Sequence, residues 1–162
     1  MNDRLKQLVS PMNFAGYLAW AAIGWELVYS SWSPPAWLAQ PVPAPALSAM
    51  HLAFLALFMA TTCGPWPRPV ERAMVLAQLA ITFGLMLLAR NSTLPILLIL
   101  CVVQVVHVCP PRPAVAIVVA SNVVMFLVYS ELWQFRSALM NTLMHMSFQA
   151  FAGLTAWFGL NA

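Results

Sequence analysis

Apolar residues run through this chain in long blocks, broken only by short clusters of proline, glycine and charge. Six blocks stand out, at about 12–33, 46–63, 70–89, 93–109, 113–133 and 137–160. Each is roughly 17–24 residues long, the length that crosses a ~30 Å hydrocarbon core as a helix. The pattern predicts an all-α fold: one polytopic membrane bundle of six transmembrane helices over residues 1–162, with nothing left over for a soluble domain. Function must then come from the bundle itself or from something attached to its ends.

Composition agrees and narrows the classes. Hydrophobic residues make up 62% of the chain and charged residues 7%. The net charge of +3 is spread as single basic residues, which is not the stripe that a nucleic-acid surface needs. Cys63, Cys101 and Cys109 lie in or at the ends of apolar blocks, and their odd number argues against a disulfide framework. The basic start at 1–8 is not read as a signal peptide, because the following block is too long for an h-region and no small-residue cleavage site comes after it.

The basic residues set an orientation. With the N-terminus in the cytoplasm, Arg4, Lys6, Arg68, Arg72 and Arg112 lie inside and only Arg90 and Arg136 outside, as the positive-inside rule favours. Six spans then place both termini in the cytoplasm. Tyr29, Trp32, Trp37, Tyr129 and Trp133 are expected to form an outer aromatic belt, with Trp66 and Trp157 near the inner face. Leu27-Val28-Tyr29-Ser30-Ser31-Trp32 echoes Leu127-Val128-Tyr129-Ser130-Glu131-Leu132-Trp133, and the Cys-Pro-rich turn at 63–69 echoes the one at 109–113. Three stacked hairpins or shared interfacial chemistry both account for these matches.

The connections are rich in proline. Five prolines between Pro34 and Pro45 favour an extended polyproline segment along the outer surface, with Trp37 dipping into the headgroups. Pro65, Pro67 and Pro69, then Pro110, Pro111 and Pro113, end one helix and start the next.

Ionisable groups within apolar blocks are costly and mark the first place to look for function. Glu26, His51 and His145 fall about 10, 8 and 12 Å below the outer ends of their helices, at 1.5 Å per residue. Arg90, Glu131 and Arg136 flank them at the outer rim. Asn141, His145 and Gln149 recur every four residues and form one polar stripe. Ala15, Ala19, Ala22 and Glu26 share a face of small residues that is expected to pack inward, turning Glu26 into the bundle. Gln78 and Thr82 form a shorter patch, and Asn122 a single one. Three readings stand open for the cluster of Glu26, His51, His145, Asn141, Gln149, Arg90 and Glu131. The groups hydrogen-bond across helices; or they line a proton- or ligand-responsive cavity, histidine titrating near neutral pH; or Met50, His51, Met144 and His145 hold a soft metal. Against the metal, methionine is a common filler of apolar cores. His107 at the inner end of the fourth block reads as interfacial. No phosphate-binding glycine loop, zinc-protease helix, serine elbow or kinase motif is present, so catalysis within the chain is not expected, and no cofactor is implied.

The last block carries the sharpest motif. The run from His145 through Phe148-Gln149-Ala150-Phe151 to Trp157 resembles the final membrane helix of DesK-type sensor histidine kinases, in which a Phe-Gln-x-Phe segment precedes a basic stretch and the dimerising kinase helix. The plan of a short basic N-terminus, five or six spans, tiny loops and a cytoplasmic exit is also similar. The phosphorylatable histidine and the ATP-binding lobe of that family have no counterpart here, and the end at Phe158–Ala162 is expected to be the edge of a sensor region cut from a longer protein. The resemblance implies a membrane sensor of a two-component system in a bacterial cytoplasmic (inner) membrane. It also implies a homodimer through the attached kinase, and a lipid or small-molecule stimulus that shifts the last helix. A second resemblance points elsewhere. Trp32-Ser33-Pro34-Pro35-Ala36-Trp37 is similar to the Trp-x-Pro-Pro-x-Trp loop of the TspO translocator proteins, which have five spans and bind porphyrins; it implies a stand-alone transporter or ligand-binding protein.

Overall fold

The computed structural model describes residues 3–29 and 33–162, without the side chains of Arg4 and Leu5. Expectations that involve Met1, Asn2, Ser30, Ser31, Trp32 or the Arg4 side chain lie outside the described residues. The described residues fold into seven α-helices. They are α1 (Asp3–Leu8), α2 (Pro11–Tyr29), α3 (Ala44–Cys63), α4 (Arg68–Leu88), α5 (Ile96–Val108), α6 (Pro111–Leu127), which continues as a π-helical turn (Val128–Leu132), and α7 (Ala138–Leu160). Six of them fall on the six apolar blocks; the short α1 precedes them. There is no β-strand among the described residues, only one isolated bridge between Ser33 and Arg90.

Among the described residues three helices combine the length and the apolar composition needed to cross a membrane: α3, α4, and α6 with its π-turn. The α5 helix is apolar but has only 13 residues, about 20 Å of rise. The fourth block is therefore only partly helical. Its first residues are taken up by a turn in which Asn91 Oδ1 accepts from the backbone N–H of Thr93 at 2.9 Å and from its hydroxyl at 2.7 Å. Such side-chain bonds compete with helical ones, and the helix starts after Pro95.

Proline begins the helices as expected. It stands in the first turn of α3, α4 and α6, where a missing N–H costs nothing. Trp66 folds back so that its indole N–H caps the Ala60 carbonyl at the end of α3, at 2.8 Å. At the same end of the bundle Arg68 and Arg72, on the first turns of α4, donate to the His107 and Val108 carbonyls of α5 at 3.3 and 3.1 Å. Cations at a helix C-terminus satisfy orphan carbonyls and oppose the helix dipole.

Polarity is turned inside out relative to a water-soluble bundle. Gln78, Gln104, Asn122, Thr142, His145 and Gln149 are buried, whereas Val115, Val119, Val123 and Leu127 on α6 and Phe151, Leu154 and Phe158 on α7 face outward. An apolar outer surface of this extent suits lipid, where polar side chains are satisfied only by one another or by backbone.

Several sequence-based expectations change here. The packed face of α2 is Gly16, Ile23 and Leu27, while Ala15 and Ala22 are exposed. A flat glycine surface admits the large rings of α3: Phe58 lies against Gly16, and the His51 ring lies against Gly24. Tyr129 and Trp133 do not join an outer belt; both are only 1% exposed. The segment from Pro34 does not stay extended but turns, with the Leu38 N–H bonded to the Pro35 carbonyl at 2.9 Å. The Ala36 N–H reaches the Leu132 carbonyl at 3.2 Å, and the Trp37 indole donates to the Leu87 carbonyl at 2.8 Å. Free carbonyls at the ends of α4 and the π-turn attract these donors and pull the loop over the bundle.

The α2–α3 contact is locked by a reciprocal pair. Trp20 donates its indole N–H to the His51 carbonyl at 2.9 Å, and His51 Nε2 donates to the Trp20 carbonyl at 2.8 Å. The two rings stack at 4.5 Å. A Cβ on Gly24 would stand 3.0 Å from His51 Nε2. Gly24→Leu is therefore expected to drive α2 from α3 and destabilise the bundle by about 1–3 kcal/mol, as overpacking does. Thermal unfolding in neutral detergent checks this; an unchanged midpoint would show that the clasp is not closely packed.

Candidate functional site

The π-turn shapes one end of the bundle. A π-turn adds a residue to the helical ladder, which rotates the side chains that follow it. Here the Trp133 and Phe135 N–H groups reach back to the Val128 and Tyr129 carbonyls at 2.8 and 2.9 Å. Gln134 between them takes a left-handed conformation, φ 54°. This fold-back packs Trp133 and Phe135 on Tyr129, with ring centroids 5.3 and 5.4 Å away. Trp133 also donates to the Met86 carbonyl at 2.9 Å, tying the π-turn to α4.

Beside this aromatic cluster lies an open cleft of about 720 Å³. The loop after α4 and the start of α5 form one wall, and α7 the other. Arg90 lies over the Phe135 ring, 5.1 Å from its centroid. Cation–π contacts of this kind hold a guanidinium in place while leaving its N–H donors usable. Arg136 and Asn141 line the same cleft. His145 lies deeper on the wall; it is buried, its ring is 6.3 Å from that of Tyr129, and Nδ1 has no hydrogen-bond partner.

Of the residues expected to act together, Arg90, Asn141 and His145 share this cleft. His51 does not join them, since it is clasped to Trp20. Gln149, one turn below His145, accepts from the Asn122 side-chain amide at 2.8 Å and links α7 to α6. Glu131 is exposed on the π-turn and Glu26 half-buried near the end of α2; neither lines the cleft. The proposed metal set is divided as well. His51 faces α2 while the Met50 methyl approaches Gly84 on α4, and Met144 and His145 lie on the cleft wall. Among the described residues no group of three His, Cys, Asp or Glu side chains comes together as a metal site.

A second polar cluster was only half visible in the sequence. Gln78 on α4 donates to Gln104 Oε1 on α5 at 2.7 Å and to the Thr61 hydroxyl on α3 at 3.2 Å. Gln104 in turn reaches the Phe58 carbonyl at 3.4 Å. One amide pair thus joins three helices. Gln104 was missed beside the more conspicuous histidines, although a lone amide in the most apolar helix is itself the signal. This cluster borders a smaller cleft of about 460 Å³ at the opposite end, lined by Gln104, His107, Arg68 and Glu71. There Arg68 pairs with Glu71 at 2.9 Å, so the smaller cleft carries its own countercharge.

No family model, no curated protein and no solved structure matches the chain.

Proposed function

We propose that the chain is a six-span bundle of a bacterial cytoplasmic membrane with both ends in the cytoplasm, and that it is the sensory part of a DesK-like two-component kinase. In this reading a membrane-associated or small-molecule stimulus acts at the Arg90–His145 cleft, and α7 carries the change toward an attached dimeric kinase. The observation that supports it is the position of α7. That helix supplies Asn141, Met144, His145 and Phe148 to the cleft, with its N-cap Ser137, and, one turn below His145, the Gln149 amide that engages α6. An occupant that moves α7 therefore works against a defined hydrogen bond. Two packings separated by a few kcal/mol are enough for a switch.

Two measurements test this. Paired reporter fusions after Ala162 give the side of the C-terminus; an external C-terminus overturns the reading. In a fusion to a histidine-kinase module, His145→Ala and Asn141→Ala are expected to change output with insertion and yield unaltered. Wild-type output from both variants sinks the assignment of the cleft. The clefts at opposite ends of the bundle favour a second reading, a small transporter or TspO-like ligand-binding protein. An odd number of spans would select it.

A further inference from the structure

We infer that the cleft between α5 and α7 binds a single-chain anionic amphiphile drawn from the surrounding lipid, its headgroup held by Arg90 and Arg136 and its acyl chain lying along α7. This deepens the sensory reading by naming the class of ligand, and it rests on that reading only for the consequence in signalling.

The cleft is charged on one side only. Arg90 and Arg136 line it, no described aspartate or glutamate does, and neither arginine forms an ion pair with a described carboxylate. The smaller cleft is different, since Glu71 answers Arg68 there. Arginine pairs in a fork geometry with carboxylate and phosphate alike, so an anionic headgroup is the complement. Arg90 is also preset by its place over Phe135, which lowers the cost of ordering it on binding.

Polarity then changes along the cleft. Arg90, Ser92, Gln134, Arg136 and Ser137 cluster at the end of the bundle, whereas Ile99, Met144 and Phe148 lie further along the helices. Ser137 to Phe148 is eleven residues, about 16 Å along α7. Met144 and Phe148 are 48% and 54% exposed on the outward side, so the apolar part of the cleft opens where lipid chains run. A free water-soluble anion leaves that length unfilled, and an uncharged hydrocarbon leaves two guanidinium groups unanswered. Between the two levels, Asn141 offers a further hydrogen bond.

Direct binding of tritiated oleate to the full chain in neutral detergent tests the inference. Saturable binding is expected, displaced by unlabelled oleate but not by oleyl alcohol, acetate or dodecyltrimethylammonium. Arg90→Gln and Arg136→Gln are each expected to weaken it about tenfold, the loss of one charge-assisted contact. Arg90→Lys keeps the charge and should recover part of the loss; Phe148→Ser should weaken binding without altering the preference for the anion. Arg136 is exposed, so its variant tests the charge even where Arg90→Gln proves poorly folded by gel filtration. Equal displacement by oleyl alcohol, displacement by acetate alone, or unchanged affinity in the folded Arg136→Gln variant overturns the inference. Oleate binding that leaves the output of a kinase fusion unmoved overturns the sensory reading instead.

Discussion

Trp133→Ala is expected to be among the most damaging single substitutions in this protein, lowering stability by about 3–5 kcal/mol, the usual loss for a large buried aromatic side chain. The ring is 1% exposed and packs on Tyr129 and Phe135. Its N–H holds the Met86 carbonyl near the end of α4. Alanine removes all of these contacts and leaves a void beside Tyr129 and Phe135, two rings that line the cleft. Trp133→Phe separates the contributions. It keeps most of the aromatic packing and gives up the hydrogen bond, for about 0.5–1.5 kcal/mol. Thermal unfolding in neutral detergent is the measurement. If alanine costs no more than phenylalanine, the ring is not the keystone of this end of the bundle.

The second large effect concerns the amide pair. Gln78→Leu is expected to cost about 1–3 kcal/mol, because Gln104 then keeps a buried carbonyl without its donor. Gln104→Leu should cost a similar amount from the other side. The double variant is expected to recover much of the loss, since replacing both partners by apolar groups of like shape is nearly neutral. Hydrogen bonds between membrane helices contribute only about 0.6 kcal/mol on average, so the penalty lies mainly in the orphaned group rather than in the bond. A double-mutant cycle isolates this coupling. Strict additivity of the two single losses would show that water or another group already satisfies each amide.

Much of the all-helical layout could be read from the chain because its signals are local. Block length against bilayer thickness, proline at helix starts and charge in the gaps act within a few residues of one another, and they placed six of the seven helices. The boundaries that failed did so for local reasons of a finer kind. Asn91 traps the Thr93 amide in a turn and shortens α5, and the Pro34–Pro45 segment bends because donors in Ala36 and Trp37 find carbonyls at the ends of distant helices.

The candidate site was less legible. Arg90, Asn141 and His145 were named from the sequence, but His145 was grouped with His51 and Glu26 chiefly on depth. Depth does not give azimuth: His51 turns toward α2 and His145 toward Tyr129. Phe135, which holds Arg90, carried no signal, since its position depends on the π-turn and on the left-handed Gln134 before it.

The sequence by itself determined that this is an all-α protein with helices apolar enough for a membrane, where those helices start, and which few polar groups lie within them. These follow from solvation and backbone geometry, which each segment feels on its own. Only the tertiary structure decided which polar groups meet. Gln78 found Gln104, Asn122 found Gln149, and His51 found Trp20, because a buried donor or acceptor takes whatever partner the rotation and crossing of the helices bring within about 3 Å. The same packing left two arginines around a cleft that no described carboxylate lines, and that is where the function is proposed to lie.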